Sequence, residues 1–169
     1  MVDKPWVIMM AQYSRWMNEK LYVHAATLTD EQRKEDRGAF FKSLHNTLDH
    51  IVWADTIWLG RFTGQQPELP TAGSILYPEF EAQRARRAEL DETIGSWAAS
   101  INDDFLSQPL TWTSRITHQS QTRAAGVAVT HFFNHQTHHR GQATTLLSQY
   151  GINPGVTDLW AMPGAEHLL

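Results

Sequence analysis

Apolar positions recur with a helical spacing in four long segments of this chain. The segments run from about residue 6 to 26, 43 to 64, 78 to 101, and 124 to 150. Within each, apolar side chains return every three or four positions, which is the repeat of one face of an α-helix. The pattern therefore predicts four amphipathic helices that bury their apolar faces against one another in an all-α four-helix bundle.

Capping residues indicate where several of these helices begin or end. Ser43 suits the N-cap of the second helix, Gly64 its end, and Gly151 the end of the fourth. Pro78 suits the first turn of the third helix, because that position needs no backbone N–H. Thr29 precedes two acidic residues, which predicts that another helix starts shortly after the first long one.

One segment has the period of a β-strand. Residues 110–116 alternate and are rich in β-branched side chains, and residues 118–123 are the expected hairpin partner. Residues 102–104, Asn-Asp-Asp, are expected to end or interrupt the third helix. We therefore expect residues 1–169 to form one domain, a four-helix bundle with a short β-hairpin before its last helix.

Composition narrows the class of protein. The chain has 169 residues, a formal net charge of -4 and no cysteine. Disulfides, thiolate nucleophiles and cysteine-bound zinc are thereby excluded. Basic residues cluster only at Arg84, Arg86 and Arg87, which argues against a nucleic-acid partner. No stretch is apolar enough for a membrane span or a signal peptide, so we expect no membrane partner and a cytoplasmic protein.

Nine histidines provide the candidate chemistry. His135 and His139 lie four residues apart in the fourth predicted helix, which places their rings on one face and about 6 Å apart along the axis. Two imidazoles so placed can hold one ion, as in HExxH helices. This pair is a weak signal by itself, because a histidine-rich chain contains such pairs by chance.

His50 is the best candidate for a third ligand. It lies at the edge of the apolar stripe of the second helix and is expected to point inward, where an unpartnered imidazole is costly. Three neutral imidazoles suit Zn²⁺, Ni²⁺, Cu²⁺ or Fe²⁺. A site with three protein ligands keeps a coordination position open, which is typical of catalytic rather than structural sites. The sequence thus favours a metal-dependent enzyme.

Four further residues are candidates for the surroundings of the ion. His131 is expected to lie in a pocket or to contact a ligand. Asp55 is expected either to accept a ligand N–H or to tie two helices together. Arg140 is expected to form a buried or interface ion pair with Asp55 or Asp49, or to reach solvent. Trp58 is expected in the core or in the pocket wall.

The remaining features of the fourth helix are expected to be structural. Gly141 costs about 1 kcal/mol relative to alanine in a helix interior and is expected to mark a close helix–helix approach. His138 is expected to be solvated, to line the cleft, or to lie at a subunit contact. Surface or satisfied core positions are expected for the other histidines: His24, His45, His118 and His167.

Two segments resemble a known family. Residues 48–62 contain His50, Asp55 and Trp58 in a helix with several aromatic residues, and residues 134–142 contain the sequence HHRGQ. Together with residues 13–18 they resemble the DinB/YfiT-like family of metalloenzymes, and the resemblance extends over nearly the whole chain. The HHRGQ element with an upstream histidine is the more specific part.

The resemblance implies a fold and a metal site. It implies up-down-down-up connectivity and a divalent ion, most often nickel or zinc, on His50, His135 and His139. It also implies a homodimer, a small-molecule substrate and a damage-inducible stress response, and it has no connection to the DNA polymerase of the same name.

The resemblance leaves the reaction open. Related proteins use a low-molecular-weight thiol, so a thiol-dependent S-transferase is one implied activity, and a hydrolase is the other enzyme that the open position would support. The alternative is a non-catalytic metal-binding stress-response protein. A third, weaker hypothesis is that the histidines hold no metal and that the bundle serves only assembly.

Overall fold

The computed structural model describes residues 2–70, 73–115 and 117–167. Within these ranges it contains six α-helices and one two-stranded antiparallel sheet, which confirms the predicted all-α fold with a β-hairpin before the last helix. The helices are α1 (Lys4–Ala25), α2 (Asp30–Lys34), α3 (Leu44–Thr63), α4 (Phe80–Ser100), α5 (Asp103–Ser107) and α6 (Ala125–Ser148), and the hairpin consists of β1 (Pro109–Thr113) and β2 (Ser120–Ala124).

Local capping signals set most of the helix ends as predicted. Ser43 begins α3, where its side chain accepts a hydrogen bond from a backbone N–H in the first turn. Gly64 ends α3 with φ 74°, in the left-handed region that favours glycine. Thr29 and Gln32 form a capping box at the start of α2.

One predicted helix start was wrong. Pro78 lies before α4 rather than in its first turn, because Glu79 keeps an extended backbone and is itself the N-cap. The interruption predicted at residues 102–104 is present: α4 ends at Ser100, and the side chain of Asn102 accepts the N–H of Phe105 and begins the short helix α5. The first strand ends at Thr113, and the end at residue 116 expected from the sequence lies outside the described residues.

Contacts between the long helices establish how α1 lies against its neighbours. Asn18 near the end of α1 donates to Asp91 on α4 at 2.9 Å, and Tyr22 donates to Gln83 at 3.3 Å, so α1 and α4 are antiparallel. The ring of Trp6, at the start of α1, meets that of Phe133 in the first half of α6 at 5.7 Å. Helices α1 and α6 therefore begin at the same end of the bundle.

The contacts of α3 complete the topology. The ring of His50 lies 4.6 Å from that of His139, and the ring of Trp58 lies 5.1 Å from that of His131, so α3 and α6 are antiparallel. His45 and Phe62 of α3 meet the early and late parts of α4 respectively, so these two helices are parallel. The connectivity of α1, α3, α4 and α6 is up-down-down-up, as the family resemblance implied.

The core has an apolar part at each end and polar groups between them. One part is aromatic, with the rings of Phe62 and Trp97 stacked at 4.9 Å and 13°. The other is mostly aliphatic and includes Leu146. Along α6, the buried Gln136 and Arg140 lie between these two parts. No helix within the described ranges is long and apolar enough to span a membrane.

Candidate metal centre

The three histidines predicted to bind a metal meet between α3 and α6. His50 comes from α3, and His135 and His139 come from one face of α6. Nε2 of His135 lies 3.3 Å from Nε2 of His50 and 3.1 Å from Nε2 of His139. One ligand atom from each ring can be chosen so that all three lie within 4.8 Å of one another. The antiparallel packing of two neighbouring helices therefore assembles the cluster.

The distances within the cluster fit a shared cation. A ring nitrogen offers one lone pair or one hydrogen, so Nε2 of His135 cannot hydrogen-bond to both of its neighbours. With metal–nitrogen distances of about 2.0–2.1 Å, ligand nitrogens lie about 3.3–3.4 Å apart in a tetrahedral site and about 3.0 Å apart in an octahedral one. The separations of 3.1 and 3.3 Å lie in this range, and the residues fit a divalent ion.

Gln142 fixes the tautomer of one ligand. Its Oε1 lies 2.7 Å from Nδ1 of His139. Because an amide oxygen only accepts, Nδ1 carries the hydrogen and Nε2 keeps its lone pair for the ion. No role for Gln142 was predicted from the sequence. Its position three residues after His139, on the same helix face, is the signal that could have found it.

Electrostatics keep the histidines in the form that binds metals. Burial, followed by the neighbouring imidazoles, lowers the pKa of His135 to about 3 and that of His50 to about 4. Burial also lowers the pKa of His139, although its hydrogen bond to Gln142 opposes this. All three rings are therefore neutral at pH 7, which is the protonation state of a ligating imidazole.

Aromatic side chains flank His50. The ring of Phe41 stacks on it at 4.0 Å and 24°, and meets His139 edge-on at 5.4 Å. The ring of Trp53 lies at 5.9 Å and 20°, and its indole N–H donates to the carbonyl of Pro70 at 3.0 Å. These contacts hold the His50 ring in place and shield the cluster from bulk water. Phe41 was not singled out from the sequence, since it lies outside the predicted helices.

A cavity of about 400 Å³ lies beside the cluster, with His50 in its wall. This volume is in the range of small-molecule sites, about 300–1,000 Å³. The wall also contains Phe40, Phe41, Lys42, Asn46, Asp49 and Trp53. A molecule in this cavity would be next to one ligand of the candidate ion.

His131 and Trp58 lie next to the cluster without joining it. The ring of His131 is 5.8 Å from that of His135 and 5.1 Å from that of Trp58. Burial lowers the pKa of His131. His131 also lines a second, more apolar cavity of about 710 Å³, so it is a pocket residue. Trp58 is 8% exposed and packs in the aromatic part of the core against Phe62 and Trp112.

Asp55 ties helices together. It is fully buried, and its Oδ2 accepts a hydrogen bond from Arg87 of α4 at 2.6 Å. Arg87 also lies 2.9 Å from Asp91. Burial lowers the pKa of Arg87, but the two carboxylates outweigh burial and the net pKa is raised. Of the two roles considered for Asp55, the structure places it in the helix-to-helix contact and not on a ligand nitrogen.

The predicted pairing of Arg140 was wrong. Arg140 is buried, as expected, but its guanidinium donates to Gln136 at 3.4 Å and to Thr137 at 3.1 Å on its own helix. Asp55 is held by Arg87 instead, and Asp49 accepts the backbone N–H groups of residues 76 and 77. Arg87 therefore holds the position at Asp55 that was predicted for Arg140, and two backbone amides hold Asp49.

The expectation for Gly141 was also wrong. A Cβ built at Gly141 meets no other atom within 4 Å, and the residue is exposed, so it marks no close approach between helices. Its neighbours on either side along α6 face inward, and Gly141 faces solvent. Among the other histidines, His45 is a buried core group whose Nε2 lies 2.8 Å from the carbonyl oxygen of Tyr77, but its buried Nδ1 has no hydrogen-bond partner among the described residues.

Fold and site together define an up-down-down-up helical bundle with three converging histidines between its second and fourth long helices. The model of the DinB family matches residues 1–167, and the chain belongs to the DinB family. It is similar to Protein DinB of Bacillus subtilis (strain 168), with 25% identity over 154 residues that cover 87% of each protein. The family predicted from the sequence is thereby confirmed.

A solved structure supports the fold. The chain is similar to the crystal structure of a DinB-like protein from Bacillus cereus ATCC 10987, with a TM-score of 0.64 and 22% sequence identity. The match covers 83% of this chain and 91% of that one. At 22% identity the similarity supports the fold only, and the chemistry of the site must be inferred from its own side chains.

Proposed function

We propose that this protein is a divalent-metal-dependent enzyme whose ion is held by His50, His135 and His139. The observation that carries the proposal is the convergence of three neutral imidazoles, with Nε2 separations of 3.1 and 3.3 Å, beside a cavity of small-molecule size. Nickel and zinc are the proposed ions, because both accept three nitrogen ligands and leave room for a further one.

The residues around the cluster have separable roles in this proposal. A divalent ion supplies a Lewis acid and lowers the pKa of a water or thiol that it binds. Gln142 keeps His139 in the ligating tautomer. Phe41 and Trp53 hold the His50 ring and exclude water, and the cavity beside them binds the substrate.

Two reaction types are compatible with this site. In a thiol-dependent S-transferase, a low-molecular-weight thiol is deprotonated and its sulfur attacks an electrophilic carbon, whose leaving group departs with the bonding electrons. The chain has no cysteine, so the thiol must come with the substrates. In a hydrolase, water takes the place of the thiol. The family resemblance favours the S-transferase reaction. That the protein is a homodimer and acts in a stress response are further predictions from that resemblance.

A non-catalytic metal-binding protein is the competing proposal. In such a protein a fourth side chain would complete the coordination, as in closed structural sites. Among the described residues, the group able to hold a metal consists of three histidines, and the cavity has one of them in its wall. Both observations support an ion that a small molecule can reach.

Elemental analysis tests the metal site. We expect about one nickel or zinc ion per chain after purification without chelator or nickel resin, and a loss of bound metal in His135→Ala. His138→Ala is the matched control, because His138 lies on the same helix, is exposed and is outside the cluster. Equal and negligible metal in all three proteins would overturn the proposal.

A substrate screen tests the enzyme. Wild type is assayed with low-molecular-weight thiols plus electrophiles, and separately with esters and amides. We expect turnover that a chelator abolishes and that nickel or zinc restores. Metal binding without turnover in either screen would favour the non-catalytic alternative.

A further inference from the structure

The cavity beside His50 has a rigid wall formed by a tight turn. The backbone N–H of Lys42 donates to the carbonyl of Ala39 at 2.7 Å, and the N–H of Arg37 donates to the carbonyl of Lys42 at 2.8 Å. Ser43, the N-cap of α3, follows directly. The turn is thus bonded at both ends and joined to the helix that holds His50. It fixes Phe40, Phe41 and Lys42 in the cavity wall.

Lys42 has an unusual backbone for a lysine. Its φ of 70° is in the left-handed region, which glycine adopts without steric cost and other residues rarely adopt. Its ammonium has no ion-pair or hydrogen-bond partner among the described residues, and the side chain is exposed. A cation is therefore kept in the wall of the cavity at a position where glycine would fit the backbone better. Strain of this kind is a reason to look for function.

The other polar groups of the wall differ in their availability. The side-chain amide of Asn46, one turn before His50 on α3, has no hydrogen-bond partner in the described part of the chain. Asp49 is different, because its two oxygens accept the backbone N–H groups of Leu76 and Tyr77 at 2.8 and 3.0 Å and it is 1% exposed. The groups left to bind a ligand are one cation and one amide.

The rest of the wall is aromatic. Phe40 is 82% exposed, an unusual state for a phenylalanine, and its ring meets that of Phe41 edge-on at 4.8 Å. Trp53 lies on the same wall. Aromatic rings next to an unpaired ammonium form a surface for a molecule with an apolar body and an anionic group.

We infer that this cavity binds a small apolar molecule that carries a carboxylate, with the carboxylate at Lys42 and Asn46 and the apolar body on Phe40, Phe41 and Trp53. The inference rests on the proposed function only for the reactive end of the molecule. At the reactive end, a divalent ion held by three neutral imidazoles would keep both of its positive charges. This charge also favours a substrate that is negatively charged.

Calorimetric titration with two matched probes tests the inference. The probes are 3-phenylpropionate and its neutral amide, titrated into the protein as purified and again after chelator treatment. We expect the acid to bind about tenfold more tightly than the amide, the size of one hydrogen bond to a charged group. In Lys42→Gln this preference should fall to near one, whereas Lys34→Gln, on the exposed helix α2, should retain it.

Further variants separate this role from folding and from the metal. Lys42→Gly should lose the preference and yet resist urea at least as well as wild type, since glycine relieves the backbone strain. Phe40→Ala should weaken the binding of acid and amide equally. Equal affinity for the two probes in wild type, no binding of either, or an unchanged preference in Lys42→Gln would overturn the inference.

Metal content distinguishes a failure of the metal site from a failure of this inference. Lys42→Gln should hold as much metal as wild type. If neither protein held metal, the proposed function would fail, but a Lys42-dependent preference in the chelator-treated protein would still support the carboxylate site. If both proteins held metal and the preference for the acid did not depend on Lys42, the proposed metal site would stand and the carboxylate site would fail.

Discussion

The buried polar cluster around Arg87 and the cluster of three histidines are built in opposite ways. Arg87, Asp55 and Asp91 form a buried cluster whose opposite charges meet at 2.6 and 2.9 Å and whose side chains are at most 5% exposed. The three histidines of the candidate metal centre carry no charge at pH 7, and their ring nitrogens point at one another. The Arg87 cluster pairs opposite charges within itself, whereas the histidine cluster offers three nitrogen lone pairs that could bind a metal ion.

This difference separates a structural role from a binding role. A buried ion pair tethers the helices that supply it, and it is costly to break because the remaining charge stays buried. A cluster of neutral donors costs less to bury but gains little by itself. The histidine cluster is therefore compatible with a bound metal ion, whereas the ion pairs of the Arg87 cluster form without one. Three substitutions test this contrast, from the largest expected effect to the smallest.

Arg87→Met should have the largest effect on stability. It leaves Asp55 and Asp91 buried without their guanidinium, and we expect the free energy of unfolding to fall by about 3–5 kcal/mol. Metal bound per folded chain should stay at the wild-type level. Urea unfolding followed by circular dichroism measures the first quantity, and elemental analysis of the folded fraction measures the second.

Arg86→Met is the matched control for this substitution. Arg86 is the preceding residue and pairs with Glu89 at 3.2 Å on the surface of the same helix. Its loss should cost less than about 1 kcal/mol. Equal stabilities of the two variants would mean that the Arg87 cluster is not the tether described here.

Gln142→Leu should affect metal binding and leave stability nearly unchanged. It removes the acceptor that holds the hydrogen on Nδ1 of His139, and the affinity for nickel or zinc should fall about 10–100-fold, as is typical when such an acceptor is lost. Gln142 is only partly buried, so its removal creates no large cavity. Competition with a chromogenic chelator measures the affinity.

Gln142→Glu separates hydrogen bonding from side-chain shape at this position. Because a carboxylate also accepts the Nδ1 hydrogen, this variant should bind metal as well as wild type or better. If both Gln142 variants bound metal like wild type, the tautomer of His139 would not depend on this residue.

Gly141→Ala should have the smallest effect, and it should be stabilising. Gly141 directly precedes Gln142, but it faces solvent with no atom in the way of a Cβ. We expect a gain of about 0.5–1 kcal/mol in the free energy of unfolding. Metal affinity should not change, which thermal unfolding and chelator competition together can check. A loss of affinity would show that the site depends on a flexible α6.

Features that depend on neighbours along the chain were predictable. The caps at Thr29, Ser43 and Gly64 follow from side-chain and backbone preferences within one turn, and all three are present. The pairing of His135 with His139 follows from the repeat of a helix. Their meeting with His50 was inferred from the inward face of the second helix and from the family resemblance, and the antiparallel packing of α3 and α6 produces it.

Features that depend on the choice among distant partners were not predictable. From the sequence, Arg140 could form an ion pair with more than one carboxylate. Only the packing of the helices shows that Arg87, and not Arg140, pairs with Asp55. The solvent-facing position of Gly141 and the stacking of Phe41 on His50 depend in the same way on the rotation of whole helices.

The sequence by itself determined the helices, the hairpin and the histidine pair, because hydrogen bonds and caps within a few residues favour them whatever the rest of the chain does. Tertiary structure decided which charges neutralise each other and where a cavity opens beside His50. Those outcomes depend on distances of a few ångströms between side chains that are far apart in the chain, and such distances exist only once the helices have packed.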